Sequence, residues 1–133
     1  MQPFWLSTVV AIGLASAAPA QEAQPRTVIE AQIAAFLADD FEAAFAFASP
    51  AIRSIFGTHE RFGAMVQQGY PMVHRPAELR FLDRSERGAV IIQRVLITDQ
   101  GGAVHVLEYE LLPAEESFLI NGVRILQGQG AGV

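Results

Sequence analysis

The spacing of apolar residues along the chain changes near Pro76. Before this point apolar residues recur at the three- and four-residue intervals of a helix face, and after it they alternate with polar residues as in a strand. Helices followed by strands predict an α+β domain, with the helices on one face of the sheet. We therefore expect N-terminal helices packed on a curved, mostly antiparallel sheet of about four strands.

Capping residues predict the helix boundaries in the first half. Thr27 and Glu30 fit a capping box, in which each side chain satisfies a free backbone N–H group. The expected N-caps are Thr27, Asp39 or Asp40, Ser49 and Thr58. The expected helix ends are Gly57 and Gly69. The segment Tyr70 to His74 is then expected to leave the helices, with extended backbone before Pro71.

The second half predicts strands separated by turns. Leu79 and Phe81 alternate with charged residues, and further strands are expected over residues 89–98, 103–112 and 117–126. Asp99 to Gly102 predicts a turn, and Asn121-Gly122 predicts a bulge in the last strand. On the third strand the alternation places His105 and Tyr109 on the same face.

The N-terminus has the pattern of a secretory signal peptide. An apolar run begins at Phe4, and Ala18-Pro19-Ala20 supplies small residues for cleavage. The run of about fifteen residues is shorter than a membrane helix requires, so we expect cleavage, with an uncleaved anchor as the alternative. The predicted organisation is a signal peptide over 1–20, a linker over 21–26, one domain over 27–126 and a flexible tail over 127–133. The predicted location is periplasmic or secreted, with no stable membrane insertion after cleavage.

Composition excludes several classes of function. The 133 residues include no cysteine, which rules out disulfides, thiol catalysis and thiolate metal sites. The net charge is −5 and the arginines are scattered, so the basic face of a nucleic-acid-binding protein is missing. Since His59, His74 and His105 lack the spacing of a metal motif, we expect neither a metal nor a cofactor.

The order of several short segments resembles an uncharacterised bacterial family, a domain of unknown function found mostly in short exported proteins. The segments are Asp40, Ala44-Phe45, Ala48-Ser49-Pro50, Phe56-Gly57, Phe62, Met65, Gly69-Tyr70-Pro71, Arg75-Pro76, Gln93-Arg94, Tyr109 and Ile120-Asn121-Gly122. The resemblance covers about residues 27–126 and implies the cone-like fold of the nuclear-transport-factor-two-like (cystatin-like) superfamily. The chain departs from the family in having Phe118 where a tryptophan is expected and Val123 where a cysteine is expected. The resemblance implies a fold and no activity.

Polar residues with apolar neighbours are the candidates for a binding site. The residues proposed to bind a ligand are Tyr70, His74, Arg94, His105 and Tyr109. Tyrosines combine an apolar body with a polar end, as pocket-lining residues often do. Each candidate also has a structural reading, namely core packing for the tyrosines, a surface loop for His74, a satisfied core histidine for His105 and an ion pair for Arg94.

Three hypotheses for function follow from these residues. The first is a non-enzymatic module that binds a small apolar or amphipathic ligand between helices and sheet. Its expected pocket wall is Phe45, Phe62, Tyr70, Leu107 and Tyr109. The second is an acid–base isomerase or hydratase that uses His105 with a carboxylate. The third is a structural homodimer that pairs through the outer sheet face, where Val104 and Val106 would otherwise be exposed. We favour binding or interaction over catalysis, because each polar candidate has an adequate structural explanation.

Overall fold

The computed structural model describes residues 18–128, and the side chains of residues 24–126. Its helices are α1 (Ala18–Leu37), α2 (Phe41–Ala46), α3 (Pro50–Phe56), α4 (His59–Gly69) and α5 (Pro71–His74). Its strands are β1 (Pro76–Arg87), β2 (Val90–Asp99), β3 (Val104–Ala114) and β4 (Ser117–Gly128). The helices precede the strands, which confirms the predicted α+β class.

The strands form a curved, open sheet in the order β1-β2-β3-β4, and each pairs antiparallel with its neighbour. The register shifts between Phe81 and Arg84 on β1 and at two places in the β3–β4 ladder. An extra residue at a bulge bends its strand and increases the local twist, which curves the sheet around the helices. One shift places Asn121 between the paired residues Ile120 and Gly122, which confirms the predicted bulge.

The core lies between the inner sheet face and the helices. Inward side chains of the two central strands, including Val95, Ile97 and Leu107, are fully buried. From the helix side, Ile29 and Phe36 of α1 are at most 1% exposed. On β2 the half-buried Leu96 separates the buried Val95 and Ile97, so the inward residues there follow the period of two of a strand.

Side-chain caps fix the starts of the short helices. Asp40 Oδ1 accepts from the Ala43 backbone N–H at 3.1 Å and begins α2. Ser49 Oγ accepts from Ile52 N at 3.3 Å and begins α3, while Thr58 Oγ1 accepts from Arg61 N at 3.2 Å and begins α4. These bonds confirm the predicted caps at Asp40, Ser49 and Thr58, and Gly57 ends α3 with a φ of 79°, which favours glycine.

Several predicted boundaries differ from the structure. Helix α1 begins at Ala18 rather than at Thr27, so residues 21–26, predicted as a linker, are helical. Alanine, glutamine and glutamate dominate this segment and favour a helix, although Pro25 removes one backbone hydrogen bond within it. The segment Tyr70 to His74 was expected to leave the helices, and this is also wrong, because Pro71 starts the single turn of α5.

At the two ends of the chain, the structure describes only part of the predicted segments. Strand β4 continues to Gly128, past its predicted end. The signal-peptide prediction for residues 1–17 and the remainder of the tail prediction, residues 129–133, lie outside the described residues. Ala18 to Ala20, the predicted cleavage segment, form the first residues of α1. Within residues 18–128, no helix has the length and apolar character needed to cross a membrane.

Candidate functional site

A cavity of about 230 Å³ lies between the helices and the edge strand β4. Its floor consists of buried residues and its rim of half-buried ones, so the cavity opens on one side. The floor residues are Gln32, Phe36, Ala48, Phe62, Val66, Val73 and Ile120. The rim residues are Ile52, Phe56, Met65, Tyr70, Gly122 and Val123. We call this site the helix–β4 cavity.

The walls of the helix–β4 cavity are almost entirely apolar. Gln32 and Tyr70 are the only polar side chains among its lining residues, and no aspartate, glutamate, arginine or histidine is among them. Gln32 is 3% exposed, and its Nε2 donates to the Ala44 carbonyl at 3.1 Å. That bond fixes the orientation of the amide within the cavity floor.

Tyr70 joins the helices to the edge strand at the rim. It follows α4 directly, and its hydroxyl donates to the Val123 carbonyl of β4 at 3.0 Å. A buried or half-buried tyrosine hydroxyl normally finds such a partner. This bond joins the end of α4 to β4 at the cavity rim.

Helix α3 forms the opposite side of the rim through Ile52 and Phe56, yet it contains no buried residue. The residues before it anchor its N-terminal end to β4. The Ser49 N–H donates to the Ile120 carbonyl at 2.8 Å, and Ser49 Oγ donates to Asn121 Oδ1 at 2.7 Å. Asn121 Nδ2 in turn donates to Glu110 Oε2 at 3.0 Å. The bulge in β4 therefore places the amide that anchors α3.

Phe62 is the centre of an aromatic cluster that forms part of the cavity wall. Its ring centroid lies 5.9 Å from that of Phe36, 5.1 Å from that of Phe45 and 5.8 Å from that of Phe56. The first pair is stacked and the last meets edge to face, which are the favoured arrangements of aromatic pairs. Phe45 contributes to this cluster without lining the cavity.

Tyr109, predicted as a ligand residue, lies in the core and not in the cavity wall. It is fully buried between β2 and β4, opposite Gln93 and Val123. Burial raises the pKa of its hydroxyl above the usual value, and the nearby Tyr70 adds to the effect. Within the described part of the chain the Tyr109 hydroxyl has no hydrogen-bond partner, nor does Gln93 Oε1. Leu107, expected in the same wall, is also a core residue outside the lining.

His74 belongs to a polar cluster beside the C-terminal end of α1. Its Nε2 lies 2.9 Å from Asp39 Oδ1, and its ring stacks on Phe41. Arg75 donates to both oxygens of the same carboxylate at 2.9 Å. Hydrogen bonds from His74, and then from Arg75, hold the pKa of the Asp39 carboxyl below its usual value. His74 does not line the helix–β4 cavity.

His105 is the second residue of β3 and lies beside the turn that follows β2. Its Nε2 is 2.9 Å from Asp99 Oδ2, while Asp99 Oδ1 accepts from the N–H groups of Gly101 and Ala103. The hydrogen bond with His105 is the main cause that lowers the pKa of the Asp99 carboxyl, and the Ala103 N–H is the next. A histidine–carboxylate pair therefore exists, and neither partner lines the cavity.

Arg94 points to the outer sheet face. Its Nε lies 3.4 Å from Glu108 Oε2, and Nη1 lies 3.8 Å from Asp83. Arg124 on β4 bonds the other oxygen of Glu108 and is the main cause that lowers the pKa of that carboxyl. The structure therefore separates the predicted site residues, since of the five only Tyr70 lines the cavity.

Sequence reasoning missed Gln32, which is the most distinctive residue of the floor. It lies within the apolar stripe of α1, between Ile29 and Phe36. A polar residue in such a stripe is unusual, so the sequence pattern alone marks Gln32 as a candidate. The rim residues Ile52 and Val123 gave no local signal, because their proximity depends on how α3 and β4 pack.

The fold and the cavity define a class of protein: a small α+β domain whose helices and sheet edge enclose an apolar pocket. The chain belongs to the family described as Domain of unknown function (DUF4864), whose model matches residues 18–133. The solution structure of a SEC-C motif containing protein from Rhodopseudomonas palustris is similar, with a TM-score of 0.59 at 20% sequence identity. The similarity covers 79% of this chain and 80% of that chain, and at this identity it supports the fold alone. No curated protein matches the chain.

Proposed function

We propose that this protein is a binding module that holds a small apolar or amphipathic molecule in the helix–β4 cavity. The observation that carries the proposal is the cavity itself, with apolar walls, two polar side chains and an open rim. Ligand pockets are concave and mostly apolar, with a few polar groups that set orientation. Apolar cavities are poorly hydrated, so a fitting apolar molecule gains contacts that water does not make.

The cavity volume limits the size of the ligand. Its volume of about 230 Å³ is below that of a typical drug-binding pocket, which begins at about 300 Å³. It exceeds the roughly 150 Å³ of an engineered cavity that binds benzene. The proposed ligand is therefore a one- or two-ring molecule or a short aliphatic chain, with any larger polar part outside the rim.

The chemistry of the walls favours binding over catalysis at this site. Acid–base catalysis needs a titratable group within hydrogen-bond reach of the reacting atoms. The Tyr70 hydroxyl is the only titratable group in the lining, and its proton is donated to Val123 O. The acid–base alternative keeps one supporting feature, the His105–Asp99 pair, which also has a structural role in closing a turn.

We also propose that the protein acts outside the cytoplasm and that its fold belongs with the nuclear-transport-factor-two-like superfamily. The apolar pattern of residues 1–20 supports export, and a curved sheet around helices supports the superfamily. The homodimer through the outer sheet face stays a prediction. Val104 is 43% exposed there, but the same face also carries a groove lined by charged residues such as Glu108, Glu110 and Arg124.

A pair of variants on one helix tests the binding proposal. Ile52 is on the cavity rim, whereas Ile55 lies on the same helix, is 70% exposed and is not among the lining residues. We expect Ile52→Trp to obstruct the mouth and weaken binding of benzene and 1-octanol by roughly tenfold or more, since overpacking typically costs over 1 kcal/mol. Ile55→Trp should bind both probes as the wild type does.

Binding is measured by titration of ¹⁵N-labelled protein, with amide shifts followed at the cavity residues. The proposal predicts saturable shifts at the lining residues in the wild type and in Ile55→Trp. If neither probe shifts those amides, or if Ile52→Trp responds like the wild type, the cavity does not bind small apolar molecules.

A further inference from the structure

We infer that the ligand of the helix–β4 cavity is a small, neutral aromatic molecule that carries a hydrogen-bond donor. This inference rests on the proposed binding function and narrows it to one chemical class. Three properties of the walls carry it: their aromatic content, the acceptor oxygens of Gln32 and Tyr70, and the lack of charged side chains.

Aromatic rings form much of the wall. Phe36 and Phe62 contribute to the floor, and Phe56 and Tyr70 to the rim. The Phe56 and Phe62 rings meet at 67° and the Phe36 and Phe62 rings at 30°, so the cluster already combines edge and face contacts. A planar ring extends such a cluster with offset or edge-to-face contacts, which are worth more than the buried area alone. An aliphatic chain gains only the area.

Met65 adds a second preference for rings. It is a half-buried rim residue that lines the cavity. In the sequence it lies between Phe62 and Tyr70. Its thioether is polarisable, adapts to irregular shapes and makes favourable contacts with ring edges. A flat ligand in this cavity therefore has aromatic and sulfur partners on its walls.

The polar atoms of the cavity predict a donor on the ligand. Gln32 donates through Nε2 to the Ala44 carbonyl, and its amide oxygen Oε1 is a hydrogen-bond acceptor. The Tyr70 hydroxyl donates its hydrogen to Val123 O, which leaves its oxygen as an acceptor as well. An N–H or O–H group on a ligand seated over the cavity floor donates to the Gln32 oxygen.

The lining residues also require a neutral ligand. They include no side chain of opposite charge for either a cation or an anion. Burying an unpaired charge in an apolar site is far more costly than burying a hydrogen-bonded neutral group. A carboxylate-bearing ligand would therefore keep that group outside the rim.

Two isomers of methylindole test the donor without a change of ligand volume. 3-Methylindole keeps its ring N–H, whereas 1-methylindole has a methyl group in its place. Isothermal titration calorimetry of the wild type should show 3-methylindole binding about fivefold more tightly, the value of one ordinary hydrogen bond. 1-Octanol, which has a donor and no ring, should bind more weakly than 3-methylindole.

Variants of glutamine identify the acceptor. Gln32→Met keeps the approximate length of the side chain and removes the amide, so it should bind the two methylindoles equally. Gln67→Met is the matched control, because Gln67 lies on the exposed side of α4 and is not among the lining residues. It should keep the fivefold preference. Should Gln32→Met fail to fold, the wild-type comparison of the isomers decides alone.

The outcomes separate the inference from the function on which it rests. Equal wild-type affinity for the two isomers overturns the donor, and 1-octanol binding as tightly as 3-methylindole overturns the aromatic class. Neither result contradicts the proposed binding function. If none of the three molecules binds, the proposed function fails and the inference fails with it.

Discussion

Two tyrosines show how different positions give the same residue type opposite energetic roles. The Tyr70 hydroxyl donates to Val123 O at the cavity rim, whereas the fully buried Tyr109 hydroxyl has no partner in the described part of the chain. A hydrogen bond stabilises the fold modestly, while a buried polar group without a partner costs its desolvation. The sequence predicted ligand roles for both residues. It could not distinguish them, because their burial and their hydrogen-bond partners depend on contacts between distant segments.

Replacing each tyrosine by phenylalanine should therefore change stability in opposite directions. Tyr109→Phe removes an unpartnered hydroxyl and should raise the free energy of unfolding by about 1 kcal/mol. Tyr70→Phe removes a bond between α4 and β4 and should lower it by about 1 kcal/mol. Urea denaturation of the three proteins measures both effects. A loss of stability in Tyr109→Phe would show that its hydroxyl is satisfied in solution.

Asp39 has a role that its neighbours in the sequence do not predict. Helix capping was predicted for Asp39 or Asp40, and the cap is Asp40. Asp39 instead adopts a φ of 57°, a region that non-glycine residues rarely occupy and that aspartate tolerates better than most. Its carboxylate bonds to Arg75 and His74, which lie close in space but are distant in sequence. Such a contact has no local signal.

At the scale of elements, α3 is positioned by its two ends and by Ile52 and Phe56, which pack against the core while half-buried. It buries none of its own residues, starts at the Ser49 cap and ends at Gly57. The sequence predicted both boundaries, since a serine before proline and a glycine with positive φ are local features. It did not predict that the Ser49 hydroxyl also reaches Asn121 in β4, which orients α3 over the cavity.

Ser49→Ala should loosen α3 and the cavity rim together. Loss of the cap and of the bond to Asn121 should lower the free energy of unfolding by about 1–2 kcal/mol. Because Ile52 and Phe56 shift with the helix, affinity for 3-methylindole should fall as well. Ser54→Ala is the control, since Ser54 is exposed on the same helix. Urea denaturation and calorimetry provide the two measurements, and unchanged affinity in a destabilised Ser49→Ala would show that α3 does not shape the site.

For the whole molecule, the sequence predicted the architecture better than the site. The Val- and Ile-rich run of β2, the alternation along β3, the β4 bulge and most helix caps are local features of the sequence, so the α+β order followed from them. The cavity is a different kind of feature, because it forms where α1, α3 and β4 meet. Gln32, Phe56 and Val123 lie far apart in sequence, and only the packing of the helices against the sheet edge brings them to one surface.

The central claim is that the helix–β4 cavity is where a small molecule binds, and isotope-filtered NOE spectroscopy tests it most directly. With 3-methylindole bound to ¹³C-labelled protein, we predict intermolecular NOEs from the ligand to the methyl groups of Ile52, Met65 and Ile120, which line the cavity. NOEs only to exposed apolar residues elsewhere, such as Val104 and Leu126, would contradict the claim. A complete lack of intermolecular NOEs at saturating ligand would contradict it as well.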